Sequence, residues 1–132
     1  MSLFVDTSVW SLALRRDQPQ EGREVKLLRR ALSEGIAIFT TGLVLQELLQ
    51  GFLGAKASSQ IIERFGALPF IIPDKADYIQ AAEIRNKCRR KGIQTGTIDV
   101  LLAQLCLRHE LELLTTDSDF NYISKVFPLH LV

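Results

Sequence analysis

Short apolar runs alternate with longer segments of helical periodicity along this chain. Apolar runs bounded by polar, glycine or proline positions are typical of strands that are buried on both faces of a sheet. Strands are therefore predicted at residues 3–5, 36–39, 70–72, 111–115 and 129–132. Thr40, Thr41 and Gly42 are interpreted as a turn and helix cap after the second strand.

Between these runs, apolar residues recur three and four positions apart, which is the spacing of one helix face. Helices are predicted at residues 9–16, 21–34, 45–52, 61–65, 74–91, 98–108 and 119–125. Asp74 or Asp77 is the expected start of the fifth helix, and Gly92 is its expected stop. Thr97 is the expected N-cap of the sixth.

This alternation predicts an α/β fold, with a central parallel sheet of four to five short strands flanked by helices on both faces. With 132 residues and 47% hydrophobic content, the chain is expected to form one domain over residues 1–132. In such sheets, ligands bind beyond the carboxyl ends of the strands, where the strand order reverses. The strand ends are therefore where functional residues are expected.

The composition adds few constraints on function. A formal net charge of +1 neither requires nor excludes a polyanionic partner, so an argument for nucleic acid depends on local clusters. Cys88 and Cys106 lack CxxC spacing, which favours reduced, buried thiols over a zinc site or a disulfide. The N-terminus lacks the basic segment of a signal peptide, and no apolar stretch approaches the roughly 18–20 residues that span a bilayer. We therefore expect a soluble, cytoplasmic protein without a membrane partner.

Two predicted strands end in an acid with hydroxyl residues beside it. Asp6 follows the first strand, and Asp117 and Asp119 follow the strand of LLTTDSDF. Asp6 and Asp119 also fit N-caps of the helices that come next. If the two strands are neighbours, however, all three acids converge on one edge of the sheet.

Two further acids lie in otherwise apolar helices. Glu47 interrupts the segment GLVLQELLQGF, and Asp99 opens the nearly all-apolar segment TIDVLLAQLCL. A glutamate on the solvent face would also explain Glu47, and a first-turn partner of the helix dipole would also explain Asp99. A buried carboxylate without a basic neighbour needs another partner.

Several carboxylates in one pocket repel one another unless a cation lies between them. With no suitable histidine or cysteine, the ligands are all oxygen, which selects a hard ion such as Mg²⁺, with Mn²⁺ as a substitute. Mg²⁺ held this way leaves positions open for phosphate oxygens, and the chemistry it favours is hydrolysis at a phosphate by activated water.

The order of these motifs resembles that of the PIN-domain ribonucleases, and among them the VapC-type toxins of toxin–antitoxin pairs. The resemblance covers essentially the whole chain. It depends on FVDTSVW, on ELLQG, on the D-x-L-L-A-x-L segment beginning at Asp99, and on LLTTDSDF. It implies a PIN fold, Mg²⁺-dependent cleavage of RNA, a homodimer, and inhibition by a cognate antitoxin.

The resemblance also implies roles for particular residues. The metal-binding and catalytic quartet would be Asp6, Glu47, Asp99 and Asp117, with Asp119 as a supporting acid. Thr7 or Ser8, together with Thr116, would line the pocket and contact phosphate.

Basic residues outside the acidic motifs form local clusters. The densest run contains Arg85, Lys87, Arg89, Arg90 and Lys91, and smaller groups contain Arg15, Arg16, Arg23, Lys26, Arg29 and Arg30. Arg85 and Arg89 share a helix face and are interpreted as phosphate contacts for RNA, although a solvated helix surface explains them equally well.

Apolar side chains leave similar alternatives open. Trp10 is interpreted as a core or interface residue in preference to a platform for base stacking. Leu49, Phe52 and Leu53 fit either a groove for an antitoxin segment or simple core.

Two other functions remain open from the sequence. One is a PIN-like module that binds RNA or protein without catalysis, and the other is a different phosphohydrolase with an acidic pocket. A phosphatase with an aspartyl nucleophile favours Asp-x-Asp after its first strand, whereas this chain has Asp6, Thr7 and Ser8 there.

Overall fold

The computed structural model describes residues 1–15 and 21–132. Four strands lie in this part of the chain: β1 (Ser2–Val5), β2 (Ala37–Thr41), β3 (Phe70–Ile71) and β4 (Glu112–Leu114). The helices are α1 (Thr7–Leu14), α2 (Arg23–Ser33), α3 (Gly42–Gly51), α4 (Ala55–Gly66), α5 (Lys75–Arg90), α6 (Thr97–Arg108) and α7 (Asp119–Ser124). None of these helices is long and apolar enough to cross a membrane.

The strands form one parallel sheet in the order β3-β2-β1-β4. Strand β1 is central, with Leu3 paired to Ile38 of β2 on one side and to Glu112 of β4 on the other. The chain therefore leaves β1 in one direction and returns later on its other side, which makes β1 the point where the strand order reverses. The predicted α/β fold with a parallel sheet is confirmed.

The core lies against both faces of β1 and β4. Phe4, Val5, Leu113 and Leu114 have no solvent exposure, as expected for strands covered on both sides. Trp10 is also fully buried, and its ring lies 5.0 Å from that of Phe65. The interpretation of Trp10 as a core residue is therefore confirmed, and base stacking is excluded.

Several predicted boundaries are wrong by a few residues. Thr40 and Thr41, interpreted as a turn, belong to β2, because Thr40 N bonds to Pro69 O and Thr41 Oγ1 donates to Ile71 O. Helix α1 begins at Thr7 instead of Val9, and its predicted end at Arg16 lies outside the described residues.

Two other local predictions are also corrected. Gly96, and not Thr97, occupies the N-cap position of α6. The strand predicted at residues 129–132 is reduced to a single bridge between Leu131 and Leu113. Pro128 has no N–H to donate, and the Leu129 N–H turns back to the Phe127 carbonyl, so only the end of this segment reaches the sheet.

Both cysteines are buried and unpaired, as predicted. Cys88 lies on α5 and Cys106 on α6, in the interior between these helices and the sheet. Burial raises the pKa of the Cys88 thiol, which keeps it protonated and unreactive.

A buried polar cluster joins α5 to α6. Asp74 and Asp77 form a capping box at the start of α5, and the Asp77 carboxylate, which is 1% exposed, also accepts hydrogen bonds from Gln104 and Arg108 of α6. Burial alone would raise the pKa of Asp77, but the hydrogen bonds and the Arg108 charge together hold it below its ordinary value. This cluster fixes α6, which carries Asp99, against α5.

Replacing Asp77 should therefore destabilise the fold. Asp77→Asn is expected to lower the free energy of unfolding by about 2 kcal/mol, because Arg108 and the backbone N–H lose a charged acceptor. Urea denaturation followed by circular dichroism measures the change. Asp74→Asn is the matched control, since Asn caps a helix as well as Asp does, and it is expected to cost less than about 1 kcal/mol. Equal losses in the two variants would contradict this role of Asp77.

Candidate metal centre

The carboxyl ends of β1 and β4 lie side by side. Val5 pairs with Leu114, and the Asp6 N–H donates to the Leu114 carbonyl at 2.9 Å. Asp6 therefore leaves the sheet next to Thr115, at the edge where ligands bind in parallel sheets. The predicted convergence of these two strand ends is confirmed.

Hydrogen bonds hold the Asp6 carboxylate in place. Asp6 occupies the N-cap position of α1, but its side chain makes no capping hydrogen bond. Instead, its Oδ2 accepts a hydrogen bond from Ser8 Oγ at 2.9 Å and one from Thr115 Oγ1 at 2.8 Å. The explanation of Asp6 as a simple helix cap is therefore wrong, and both hydroxyls are directed at one oxygen of a carboxylate that is 7% exposed.

Each of these hydroxyls is itself fixed by the backbone. The Thr116 N–H donates to Ser8 Oγ at 3.1 Å, and the Asp117 N–H donates to Thr115 Oγ1 at 3.0 Å. Two chains of hydrogen bonds, from backbone N–H through hydroxyl to carboxylate, thus join the first turn of α1 to the loop after β4. Such chains polarise one another and fix the orientation of the acceptor.

Thr115 is the hydroxyl residue that sequence reasoning missed. Thr116, which was expected to line the pocket, is exposed and contributes its backbone N–H. The strand register contained the missing signal: because Val5 pairs with Leu114, the residue after Leu114 lies opposite Asp6. That register becomes known only when β1 and β4 are shown to be neighbours.

Glu47 is brought to the same edge by α3. Its side chain is half-buried, and its Oε1 accepts a hydrogen bond from Thr7 Oγ1 at 2.8 Å. The alternative of a solvent-facing glutamate is therefore wrong. Thr7 links α1 to α3, while its neighbour Ser8 links α1 to the β4 loop.

The remaining three acids form a compact group. Asp99, Asp117 and Asp119 each offer a carboxylate oxygen, and these oxygens lie within 4.8 Å of one another. Asp99 and Asp117 are half-buried, whereas Asp119 is exposed. The N-cap position of α7 belongs to Ser118, and Asp117 Oδ1 accepts the Asp119 N–H at 2.9 Å, so the expectation of Asp119 as the cap is wrong.

The electrostatics of Asp99 show that all five acids share one place. The pKa of Asp99 is raised to about 6, first by burial and then by the charges of the other four acids: Asp117, Asp6, Asp119 and Glu47. Because the ionised form of Asp99 is disfavoured in the folded state, the metal-free protein loses stability as the pH rises from the ordinary pKa of 3.8 towards 6. Within residues 1–15 and 21–132, no Lys, Arg or His nitrogen lies within 4.0 Å of any of the five carboxylates.

This arrangement fits a hard divalent cation. The donors are carboxylate oxygens, without the sulfur or imidazole ligands that zinc prefers, and they carry negative charge that no described side chain neutralises. Asp6 Oδ2 is occupied by two hydroxyl donors, which leaves Oδ1 as the oxygen available to a cation.

The two arginines expected to contact RNA lie on α5, away from this acidic cluster. Arg85 donates from Nη1 to Thr97 Oγ1 at 2.7 Å, at the start of α6. Arg89 is exposed one turn further along α5. Neither arginine contributes to the raised pKa of Asp99, so neither is a counter-ion of the cluster.

Comparison with known proteins identifies the family. The family model of the PIN domain matches residues 3–126. A VapC ribonuclease of Mycobacterium bovis and ribonuclease VapC11 of Mycobacterium tuberculosis are each 31% identical over 127 residues, which cover 94% of this chain and 92% of the relative. The solved structure of VapBC2 from Rickettsia felis, bound to a promoter DNA fragment, has the same fold, with a TM-score of 0.77, 20% identity, and coverage of 100% of this chain and 98% of that chain. The chain belongs to the PIN domain family and groups with its VapC ribonucleases.

Binding of Mg²⁺ should depend on pH through Asp99. Because its pKa is about 6, a proton competes with the cation below that pH, and affinity is expected to fall about tenfold per pH unit. Isothermal titration calorimetry between about pH 5 and pH 7 measures this slope. Asp99→Asn has no such proton to lose, so it should bind Mg²⁺ more weakly and with a flatter profile. The same slope in both proteins would contradict the assignment.

The hydroxyl of Thr115 should matter for metal affinity, and that of Thr116 should not. Thr115→Val keeps the side-chain shape but removes the donor to Asp6, and it is expected to weaken Mg²⁺ binding about tenfold. Thr116→Val is the matched control, with a change of less than about twofold, because its hydroxyl is outside the network. Equal effects in the same calorimetric titration would show that Thr115 does not orient Asp6.

Proposed function

We propose that this protein is a VapC-type ribonuclease that hydrolyses phosphodiester bonds in RNA with a divalent cation, Mg²⁺ or Mn²⁺ in its place. The observation that carries the proposal is the group of five acids at the carboxyl edge of β1 and β4, where the pKa of Asp99 is raised and no described basic side chain is near. The activity of the VapC relatives, which are named as ribonucleases, supports it.

The five acids would have different roles, according to their burial and position. Asp6, Asp99 and Asp117 would hold the cation directly, and Glu47 would either join them or orient the attacking water. Asp119, which is exposed at the rim, would support the site or complete a second metal position. When bound, the cation lowers the pKa of water and stabilises the charge that grows on the phosphoryl oxygens.

The side chains themselves favour direct attack by water. Ser8 and Thr115 are the hydroxyls nearest Asp6, and each already donates to its carboxylate and accepts a backbone N–H. Thr7 likewise donates to Glu47. These hydroxyls therefore position acids, and none is activated as a nucleophile by a neighbouring base of the kind that covalent catalysis requires.

The partners follow from the family. We propose that the protein forms a homodimer and is inhibited by a cognate antitoxin, as its similarity to the VapC ribonucleases implies. A solved structure of the same fold is a VapBC assembly, that of VapBC2 from Rickettsia felis. Leu53 is 89% exposed, and Phe52 lines a cleft of about 520 Å³ with Leu14, Ala57 and other residues of α1 and α4. This cleft would give an antitoxin segment an apolar surface that residues 1–15 and 21–132 leave uncovered.

Substitution of the acids tests the proposal directly. Asp6→Asn and Asp99→Asn are expected to lower Mg²⁺-dependent cleavage of single-stranded RNA by more than about a hundredfold, because each removes a charged ligand. Circular dichroism should show an unchanged fold, since Asn keeps the shape of the side chain. Cleavage is followed with an end-labelled RNA, with and without EDTA.

The control is Glu63→Gln, which removes one exposed acid from α4, outside the cluster. It should retain activity within about twofold. Cleavage that persists in purified Asp6→Asn protein would overturn the assignment. RNA binding without any cleavage by the wild-type protein would favour a non-catalytic PIN-like module.

A further inference from the structure

A polar cavity lies between α5 and the loop that leads into α6. It has a volume of about 250 Å³, and it is lined by Arg85, Arg89, Ile93, Gln94 and Thr95. The two arginines are four residues apart on α5 and therefore share one helix face. The cavity shares no residue with the five acids.

The positive charge of this cavity is not balanced by acids in the described parts of the chain. Neither Arg85 nor Arg89 has a carboxylate within 4.0 Å there, whereas Arg23, Arg29, Arg30 and Arg108 all have acidic partners. Within the described residues, Arg85 makes one hydrogen bond, to the neutral hydroxyl of Thr97, although a guanidinium group has five N–H donors. Two guanidinium groups without acids beside a concave surface are suited to an anion, and their planar forks match phosphate oxygens.

The wall of the cavity also holds a polar group without a partner. The hydroxyl oxygen of Thr95 is buried, and residues 1–15 and 21–132 offer it no hydrogen-bond partner. Such groups are rare in folded proteins because they lose their water without a replacement. Rotation about the Cα–Cβ bond exchanges the hydroxyl and methyl groups of a threonine, so an arriving acceptor gives this hydroxyl a partner.

The cavity is adjacent to the acidic cluster along the chain. Thr95 precedes Gly96, and the Asp99 carboxylate packs against the glycine: a Cβ atom added to Gly96 would lie 3.5 Å from Asp99 Oδ2. Gly96 therefore lies along the chain between Thr95 of the cavity and the first turn of α6, which carries Asp99.

We propose that this cavity binds a backbone phosphate of the RNA, close along the strand to the phosphodiester that lies at the acids. The inference rests on the proposed function, since it takes RNA as the substrate. Arg85 and Arg89 would form charge-assisted hydrogen bonds to the phosphate, with Thr95 as an additional donor. The strand would pass over Gly96, where no side chain blocks it.

The test measures RNA binding separately from cleavage. Fluorescence anisotropy with a labelled single-stranded RNA oligonucleotide is performed with Mg²⁺ in an Asp99→Asn background, where hydrolysis is not expected. Arg89→Gln should weaken binding about five- to tenfold at about 0.1 M salt, and it should reduce the slope of log affinity against log salt by about 0.7, the loss of one single-strand phosphate contact.

Arg90→Gln is the matched control. It removes the same charge from the neighbouring position of α5, outside the cavity, and it should change affinity by less than about twofold with a nearly unchanged slope. Equal effects of Arg89→Gln and Arg90→Gln would overturn the proposal, because the arginines would then act only as diffuse surface charge.

Thr95→Val gives a second readout that a structural role would not produce. It should weaken RNA binding severalfold while the melting temperature stays the same or rises, since a buried hydroxyl without a partner is removed. A fall in melting temperature with unchanged RNA affinity would overturn the role of Thr95 in binding.

Two further arms separate this proposal from its alternatives. A labelled oligoglutamate peptide tests whether the cavity binds carboxylates. If Arg89→Gln weakens binding of the peptide and leaves binding of RNA unchanged, the cavity binds an acidic protein and the RNA assignment is overturned.

If wild-type protein fails to cleave RNA while Arg89→Gln still shows the predicted loss of RNA binding, the hydrolytic function fails and the phosphate site stands. If cleavage is normal and the RNA affinities of Arg89→Gln and Arg90→Gln agree, the hydrolytic function stands and the phosphate site fails.

Discussion

Repulsion among five carboxylates at one edge of the sheet is the constraint on which the rest of this structure depends. The acids come from separate parts of the chain: the end of β1, helices α3 and α6, and the loop and short helix after β4. Each would be better solvated alone. They are held together because the apolar core fixes the elements that carry them. Burial first, and then the charges of the other four acids, raise the pKa of Asp99. A divalent cation would remove this repulsion.

The supporting polar contacts direct the acids instead of neutralising them. Ser8 and Thr115 donate to Asp6, and Thr7 donates to Glu47, so neutral hydroxyls set the orientation of two carboxylates without adding positive charge. Basic side chains are used elsewhere, as Arg108 is in the buried cluster around Asp77 that fixes α6 to α5. The acidic cluster is therefore open to an external cation. Arg85 and Arg89 of α5 are in turn open to an external anion.

The sequence allowed the architecture and the five acids to be predicted, because both are encoded locally. Apolar runs identify buried strands, and an acid directly after such a run lies at the carboxyl edge of a parallel sheet. Thr115 could not be identified in the same way, since its contact with Asp6 depends on which strands are neighbours and in what register. The segment at residues 129–132 has the composition of a strand, but it forms a single bridge to Leu113 through the backbone of His130 and Val132, so composition alone was misleading there. The lack of a carboxylate partner for Arg85 and Arg89 among the described residues likewise becomes known only when the positions of all described acids are known.

The origin of the oxygen atom added to the cleaved RNA tests the central claim most directly. RNA is incubated with the wild-type protein and Mg²⁺ in water enriched in heavy oxygen, and the product ends are analysed by mass spectrometry. Attack by water at the acidic cluster predicts one heavy oxygen in the terminal phosphate of the product, and no product once EDTA has removed the cation. Products that end in a 2′,3′-cyclic phosphate without heavy oxygen, or cleavage that survives EDTA, would contradict the account.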